Sequence, residues 1–159
     1  MGKRGEFVLD EWLPYRLVVT ADEVSRAFAR LYRQQFGLTR YQWRVLSVVA
    51  AEPGVTAAVV CRASTLEKMQ VSRAVSDLRD EGMLTATQDP KDRREYRLRL
   101  TRRGWALYRR LTPLARDLEE RLLADISAAQ RQALTDVLPL LRERAAGLQR
   151  DADEDQDPA

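Results

Sequence analysis

Histidine is absent from the 159 residues. With it go Ser-His and Cys-His nucleophile pairs, HExxH zinc sites and imidazole acid-base steps, all of which need that ring. The one cysteine, Cys61, can close no internal disulfide, which suits a reducing compartment. The glycines at 2, 5, 37, 54, 82, 104 and 147 form neither GxGxxG nor GxxxxGK followed by Ser or Thr, so nucleotide chemistry has no backbone cradle. No apolar run approaches the length of a membrane span, and the opening MGKRGEFVLDEW has two early cations without the apolar stretch of a signal peptide behind them. These absences predict a cytoplasmic protein that is not an enzyme and that needs no cofactor or metal. The carboxylate pairs Asp22-Glu23 and Glu119-Glu120 are present, but they lie in charge-rich helical stretches that read as solvated faces.

What is present fits one compact core: 45% of the residues are hydrophobic, in a chain too short for two ordinary domains. The formal charge of +3 understates the basic character, because the last nine residues, DADEDQDPA, hold five carboxylates and no cation. Residues 1–150 alone carry about +8, enough to attract polyanions but silent on specificity.

Apolar positions Leu17, Ala21, Val24, Phe28 and Leu31 predict one stripe of a long helix, with Pro14 in its first turn and Gly37 at its end. Thr39 is the N-cap expected for a second helix that carries Trp43, Leu46 and Val49 or Ala50 inward and ends at Glu52-Pro53-Gly54. Thr56 is placed to cap a short third helix, closed by Ser64-Thr65. A fourth helix is expected from about Glu67 to Glu81, burying Val71, Ala74, Val75 and Leu78, with Gly82 as its left-handed stop. Two short helices so joined make a helix-turn-helix.

After Gly82 the period changes to two. Leu84, Ala86 and Gln88 on one side of the turn Asp89-Pro90-Lys91-Asp92, and Tyr96, Leu98 and Leu100 on the other, predict a two-stranded hairpin. Thr101 should cap a helix bent at Pro113, and Ser127 to Gln130 has capping-box spacing for a last helix kinked at Pro139.

This order of elements, with EKMQVSRAVSDLRDEGML, DPKDRREYRLRLTRRG and YQWRVLSVVAAEPGVT, resembles the multiple-antibiotic-resistance regulator (MarR) family. The wing pattern, Asp-Pro-x-Asp-Arg-Arg followed by alternating apolar residues and Leu-Thr-x-x-Gly, is its most specific part. The resemblance implies a mainly α fold with a small β-hairpin wing. An N-terminal arm would occupy residues 1–9, a single domain 10–150, and a disordered acidic tail 151–159. Within the domain, residues 39–103 would form the winged helix-turn-helix lobe, and residues 10–37 and 104–150 the dimerisation helices.

On the fourth helix the buried set leaves Lys68, Met69, Ser72, Arg73 and Ser76 outward near its beginning, the end that commonly enters a major groove. Arg73 can fork onto guanine, Ser72 can bond a base or phosphate, Gln70 can reach adenine or the backbone, Met69 can press on a thymine methyl, and Lys68 suits a phosphate. Residues 89–103 hold seven cations against three carboxylates. A slim tip of that sign suits a minor groove narrowed by A·T pairs. The resemblance makes Asp92 the orienting carboxylate and Arg94 the inserted side chain, with Arg93 as neighbouring candidate. Arg97 and Arg99 read instead as charges protecting an edge strand. Two departures from the family pattern, Ser64 for a core leucine and Glu67 for an N-cap aspartate, predict a fourth helix with a loose start or one capped by Ser64 or Thr65.

The expected partners are double-stranded DNA and a second copy of the chain. Leu9, Leu13, Leu107, Leu111, Leu114, Leu118, Leu134, Leu138 and Leu141 exceed one small core and would supply the homodimer surface. By resemblance, a small aromatic or acidic effector, an aromatic acid or its coenzyme A thioester, would release a repressor from a pseudo-palindromic operator. Trp12, Tyr15, Arg16, Tyr41, Trp43 and Arg44 are its candidate site, with plain core packing as the competing role for each aromatic. Two alternatives stand beside this: redox sensing through Cys61, whose more ordinary role is a small buried residue, and an architectural DNA-binding protein without effector.

Overall fold

The computed structural model describes residues 7–154. A 3-10 turn (Leu9–Glu11) leads into α1 (Leu13–Phe36), α2 (Arg40–Ala51), α3 (Ala57–Ser64), α4 (Lys68–Asp80), β1 (Leu84–Gln88), β2 (Tyr96–Leu100), α5 (Arg102–Leu122) and α6 (Ala128–Glu154). The chain divides into two compact units, one through Arg116 and one from Asp117.

In the first unit local chemistry sets the boundaries. Pro14 lies in the first turn of α1, where its missing N–H costs nothing, and Gly37 ends the helix at φ +68°. Thr39 and Gln42 form a reciprocal capping box on α2: the Gln42 N–H donates to Thr39 Oγ1 (3.2 Å) and the Thr39 N–H to Gln42 Oε1 (2.8 Å). Thr56 occupies the N-cap position of α3, but its side chain makes no cap hydrogen bond. Gly82 follows α4 with φ +70°.

The core is the inner face of the helix-turn-helix. Val45, Leu46 and Val49 of α2 meet Val60 of α3, Val71 and Leu78 of α4, and Leu84 and Leu98 of the hairpin. Burying each such side chain contributes roughly 1.5–3 kcal/mol. Leu111 of α5 joins this core, so it is not surface for a partner. A chain of aromatic contacts ties α1 and α5 to α2: Phe28 to Tyr32 (6.1 Å), Tyr32 to Trp43 (5.0 Å) and Trp43 to Tyr108 (5.9 Å). The apolar stripe of α1 is covered only in its second half, since Leu17 and Ala21 are exposed while Val24, Phe28 and Leu31 are half-buried. Val75 is half-buried instead of buried, because it faces a groove described below.

The strands pair antiparallel in the expected register, Leu84 with Leu100, Ala86 with Leu98 and Gln88 with Tyr96. The sequence pattern did not reveal a third participant. Val55 bridges to Leu98: the Leu98 N–H donates to the Val55 carbonyl and the Gly54 N–H to the Leu98 carbonyl, both at 2.8 Å. Behind the hairpin, the Thr101 Oγ1 accepts from the Gly104 N–H (3.1 Å) and donates to the Gly82 carbonyl (2.7 Å), fastening the start of α5 to the end of α4. α5 runs continuously through Pro113 to Leu122.

In the second unit Ser127 and Gln130 make the expected capping box, the Ser127 N–H donating to Gln130 Oε1 at 2.9 Å. Arg131 reaches back to the Leu123 and Ile126 carbonyls (2.6 and 3.0 Å) and closes the turn before α6. α6 continues through Pro139 to Glu154, so the expected disordered tail does not begin at 151. No glycine or proline interrupts Asp151 to Glu154, and helix propagation through them needs only one bond per residue. Residues 155–159 of that tail, and residues 1–6 of the expected arm, lie outside the described residues.

Candidate nucleic-acid interface

α4 begins with Glu67 as N-cap, and the Glu67 N–H donates to Gln70 Oε1 (3.2 Å). One expectation is corrected by this. The start is not capped by Ser64 or Thr65, because Ser64 is the buried last residue of α3 with its hydroxyl on the Val60 carbonyl (2.5 Å), while Thr65 Oγ1 donates to the Ser64 carbonyl (2.7 Å). Gln70 Oε1 serves as this cap, and its Nε2 keeps its donors for a partner outside the chain.

The remaining candidates share one exposed face. Lys68, Met69, Ser72, Arg73 and Ser76 are all exposed, Met69 most of all at 77%. Arg79 continues the face at helical spacing from Ser72 and Ser76, a candidate that the sequence spacing alone signals.

At the wing tip, Asp92 accepts from the Arg94 N–H (2.9 Å) and from Arg94 Nε (3.3 Å), while the Arg94 side chain is 92% exposed. One carboxylate thereby turns the backbone and aims the guanidinium. Arg93 is exposed beside it, and its carbonyl accepts from Gln88 Nε2 (2.6 Å). Arg97 is more than a charge on an edge strand. It pairs through Nε with the buried Asp89 and donates from Nη1 to the Gly54 carbonyl (3.1 Å), which clamps the wing base to the loop before α3. The other Asp89 oxygen accepts from the Lys91 N–H (2.7 Å), so the same carboxylate also folds the tip.

These bonds to the charged form set both acidities. The Lys91 N–H, then the Arg97 guanidinium, hold the Asp89 carboxyl below its usual range, and the Arg94 N–H, then its guanidinium, do the same for Asp92. A pKa depressed in the fold contributes order above the unfolded value, about 3.9, and that order is lost as pH falls through the lower folded value. The Lys91 and Arg94 amide resonances should therefore stay constant from pH 8 to about 5 and move only below about 4. Movement between pH 5 and 8 would contradict the carboxylate-built tip.

Between α3, α4 and the hairpin lies a groove of about 830 Å³, with Val75, Ala86 and Leu98 among its apolar lining and Lys68, Arg79 and Arg94 among its charges. Cys61 also lines it and is half-buried, not the buried residue expected, because it packs against the edge of the core with one side open to this groove.

The six effector candidates are not brought together. Trp43 and Arg44 line a pocket of about 340 Å³ between α1 and α2, with Val24, Phe28, Tyr32 and Arg40. Tyr15 and Arg16 line a separate depression of about 190 Å³ with Asp10. Trp12 packs edge-on against Phe7 (5.6 Å), and Tyr41 lies under the Arg40 guanidinium (4.9 Å). Helix geometry explains the separation: 13 residues of α1 between Tyr15 and Phe28 span roughly 20 Å, and neighbours two apart on α2, such as Tyr41 and Trp43, face different ways. Tyr32, which forms part of the pocket wall, was missed because its burial depends on α2. Burial pushes its hydroxyl up to about 12, so it is neutral at physiological pH. Arg44 also donates from Nη1 to the Ser64 carbonyl (3.3 Å). Next to it, Thr65 has φ +55°, a left-handed conformation that costs a β-branched residue of the order of 1–3 kcal/mol.

Residues 36–95 match the profile of the MarR family. An HTH-type transcriptional repressor of Mycobacterium tuberculosis is 28% identical over 131 residues, 82% of this chain and 91% of that protein. The homoprotocatechuate degradative operon repressor of Escherichia coli is 22% identical over 121 residues, 76% of this chain and 82% of that protein. The structure of the PcaV transcriptional regulator of Streptomyces coelicolor, in complex with its natural ligand, has a TM-score of 0.74 at 25% identity, covering 89% of this chain and 99% of that one. The matched segment contains α2 to α4 and the wing tip, and over it the chain is similar to the MarR family of transcriptional regulators.

Proposed function

We propose that this regulator is a homodimeric repressor that leaves a pseudo-palindromic operator when a small aromatic acid binds. DNA contact is assigned to Lys68, Met69, Ser72, Arg73 and Ser76 on α4 and to Arg93 and Arg94 at the wing, with Asp92 orienting Arg94. One reading helix covers a half-site, so useful specificity calls for two copies related by a two-fold axis. Apolar surface is available for that contact: Leu9, Leu13 and Val18 in the first unit, and separately Leu134, Leu138 and Leu140 in the second, are exposed.

The observation that carries the ligand part is the make-up of the α1–α2 pocket. Arg40 and Arg44 are its only charged lining residues, beside the aromatic rings of Phe28, Tyr32 and Trp43. Two arginines beside three aromatic rings suit one carboxylate on one aromatic ring. About 340 Å³ is at the low end for ligand pockets, which favours a free single-ring acid over a coenzyme A thioester. The names of two relatives agree with this: one represses a homoprotocatechuate degradative operon, and PcaV was solved with a natural ligand. Tyr15 and Arg16 would serve only if a second copy completed their shallow site.

Calorimetry with single-ring aromatic acids and their thioesters, followed by operator-binding assays, tests the ligand part. Acids should bind once per protomer and weaken operator affinity at least about tenfold, with thioesters no better. Binding of the thioesters alone would contradict the assignment. Sedimentation should give a dimer, and a monomer occupying a single half-site would contradict that part.

A further inference from the structure

Arg44 belongs to two structures at once. It lines the α1–α2 pocket, and its Nη1 holds the carbonyl of Ser64, the last residue of α3. Carbonyls at a helix end lack partners within the helix and need donors from elsewhere. The Ser64 carbonyl has two, Arg44 at 3.3 Å and the Thr65 hydroxyl at 2.7 Å. Thr65 is also the one non-glycine residue with positive φ among the described residues, and only Leu66 separates it from Glu67, the N-cap of α4. The turn that aims the reading helix is therefore strained at Thr65 and braced from the pocket wall.

We propose that Arg44 couples the pocket to α4. A ligand carboxylate entering beside Arg40 and Arg44 draws the Arg44 guanidinium off the Ser64 carbonyl, the turn relaxes at Thr65, and α4 leaves the pose in which Arg73 meets the bases. This rests on the pocket being the effector site and supplies its route to the DNA.

The direction follows from acceptor strength. A bond from guanidinium to carboxylate has charge on both sides and admits a two-pronged geometry, whereas the Ser64 carbonyl is a neutral single acceptor. Arg40 gives the acid a second cation, so binding does not depend on Arg44 alone. The element with two arrangements is the α3–α4 turn, which is strained in one and free to relax in the other. The coupling must also run backwards. DNA that holds α4 in place keeps the Ser64 carbonyl against Arg44 and so weakens acid binding by the same factor.

Two variants separate this route from the pocket assignment, with benzoate and phenylacetate as probes. In the wild-type protein the active acid should weaken operator affinity about tenfold and speed amide exchange at residues 65–69. Arg44→Met should bind operator about tenfold more weakly before any acid is added, and the acid should then change its affinity by less than about twofold although calorimetry still records binding through Arg40. Thr65→Gly removes the strain outside the pocket, so acid binding should match wild type while most of the release is lost. Wild-type operator affinity in acid-free Arg44→Met would overturn the coupling, as would full release of both variants by the acid. If neither probe binds the wild-type protein, the effector reading fails for these acids, and the acid-free affinity of Arg44→Met still decides whether the brace matters.

Discussion

Arg73→Ala is expected to lower affinity for the operator by about 1–3 kcal/mol per half-site, roughly ten- to a hundredfold, while binding to random DNA changes little. The residue stands on the exposed face of α4 in its second turn, with Ala74 and Leu78 behind it in the core, so the helix beneath it is fixed. A forked guanidinium held there can take both acceptors of a guanine edge, and losing it removes discrimination before it removes general attraction. Arg94→Ala should behave differently. Its guanidinium, held by Asp92, is exposed for entry into a minor groove, and the attraction there comes from groove narrowness, so its loss should weaken sites flanked by A·T pairs far more than sites flanked by G·C pairs. Gel-shift titrations against four sequences, two cores by two flanks, separate these effects. Equal losses on all four by both variants would mean that the two arginines supply charge alone.

Gly104→Ala should destabilise the first unit more than an ordinary small-to-large change, which costs about 1–3 kcal/mol. A Cβ at Gly104 would lie 2.2 Å from the Met83 carbonyl oxygen, far inside contact distance, and the obstacle is backbone. That backbone cannot yield easily. The Met83 carbonyl accepts the Thr101 N–H (3.0 Å), the Met83 N–H is bonded to Leu78 (2.8 Å), and Thr101 also ties Gly82 to the start of α5. Relief requires α5 to pull away from the α4–β1 turn, carrying Trp105 and Tyr108 with it. Gly147→Ala is the control. Its Cβ would meet only the flexible end of Arg150 at 3.9 Å, so removing a glycine from the helix interior should be neutral or stabilising by about 0.5–1 kcal/mol. Denaturant midpoints compare the two directly. A Gly104→Ala protein as stable as wild type would show that the close approach is not rigid.

This glycine shows what a sequence displays and what it withholds. Its place in Leu-Thr-x-x-Gly was visible, but the reason, a carbonyl 21 residues earlier in the chain, was not. Features governed by neighbours along the chain were legible: the Thr39 and Ser127 caps, the left-handed Gly37 and Gly82, and the strand register, which follows from side-chain alternation across one turn. The outward set on α4 was legible for the same reason, since helical period alone separates Ser72 and Arg73 from Val71 and Ala74.

Long-range partners were not. Arg97 looked like an edge charge because its acceptor, Gly54, lies 43 residues away, and Val55 looked like loop because its strand partner is Leu98. The effector candidates were grouped by residue type, which says nothing about distance along a helix. Arg40 and Tyr32 enter the pocket through the packing of α1 on α2, a fact of tertiary geometry that no local pattern carries.

The central claim is that α4 and the wing read a particular DNA sequence, not merely its charge. Hydroxyl-radical footprinting on the DNA upstream of the chain's own gene, with excess random DNA present, tests it most directly. Two protected half-sites about one helical turn apart are expected, each flanked by minor-groove protection that disappears in Arg94→Ala. Uniform protection that random DNA competes away at equal concentration would contradict it and leave a salt-dependent architectural protein in its place.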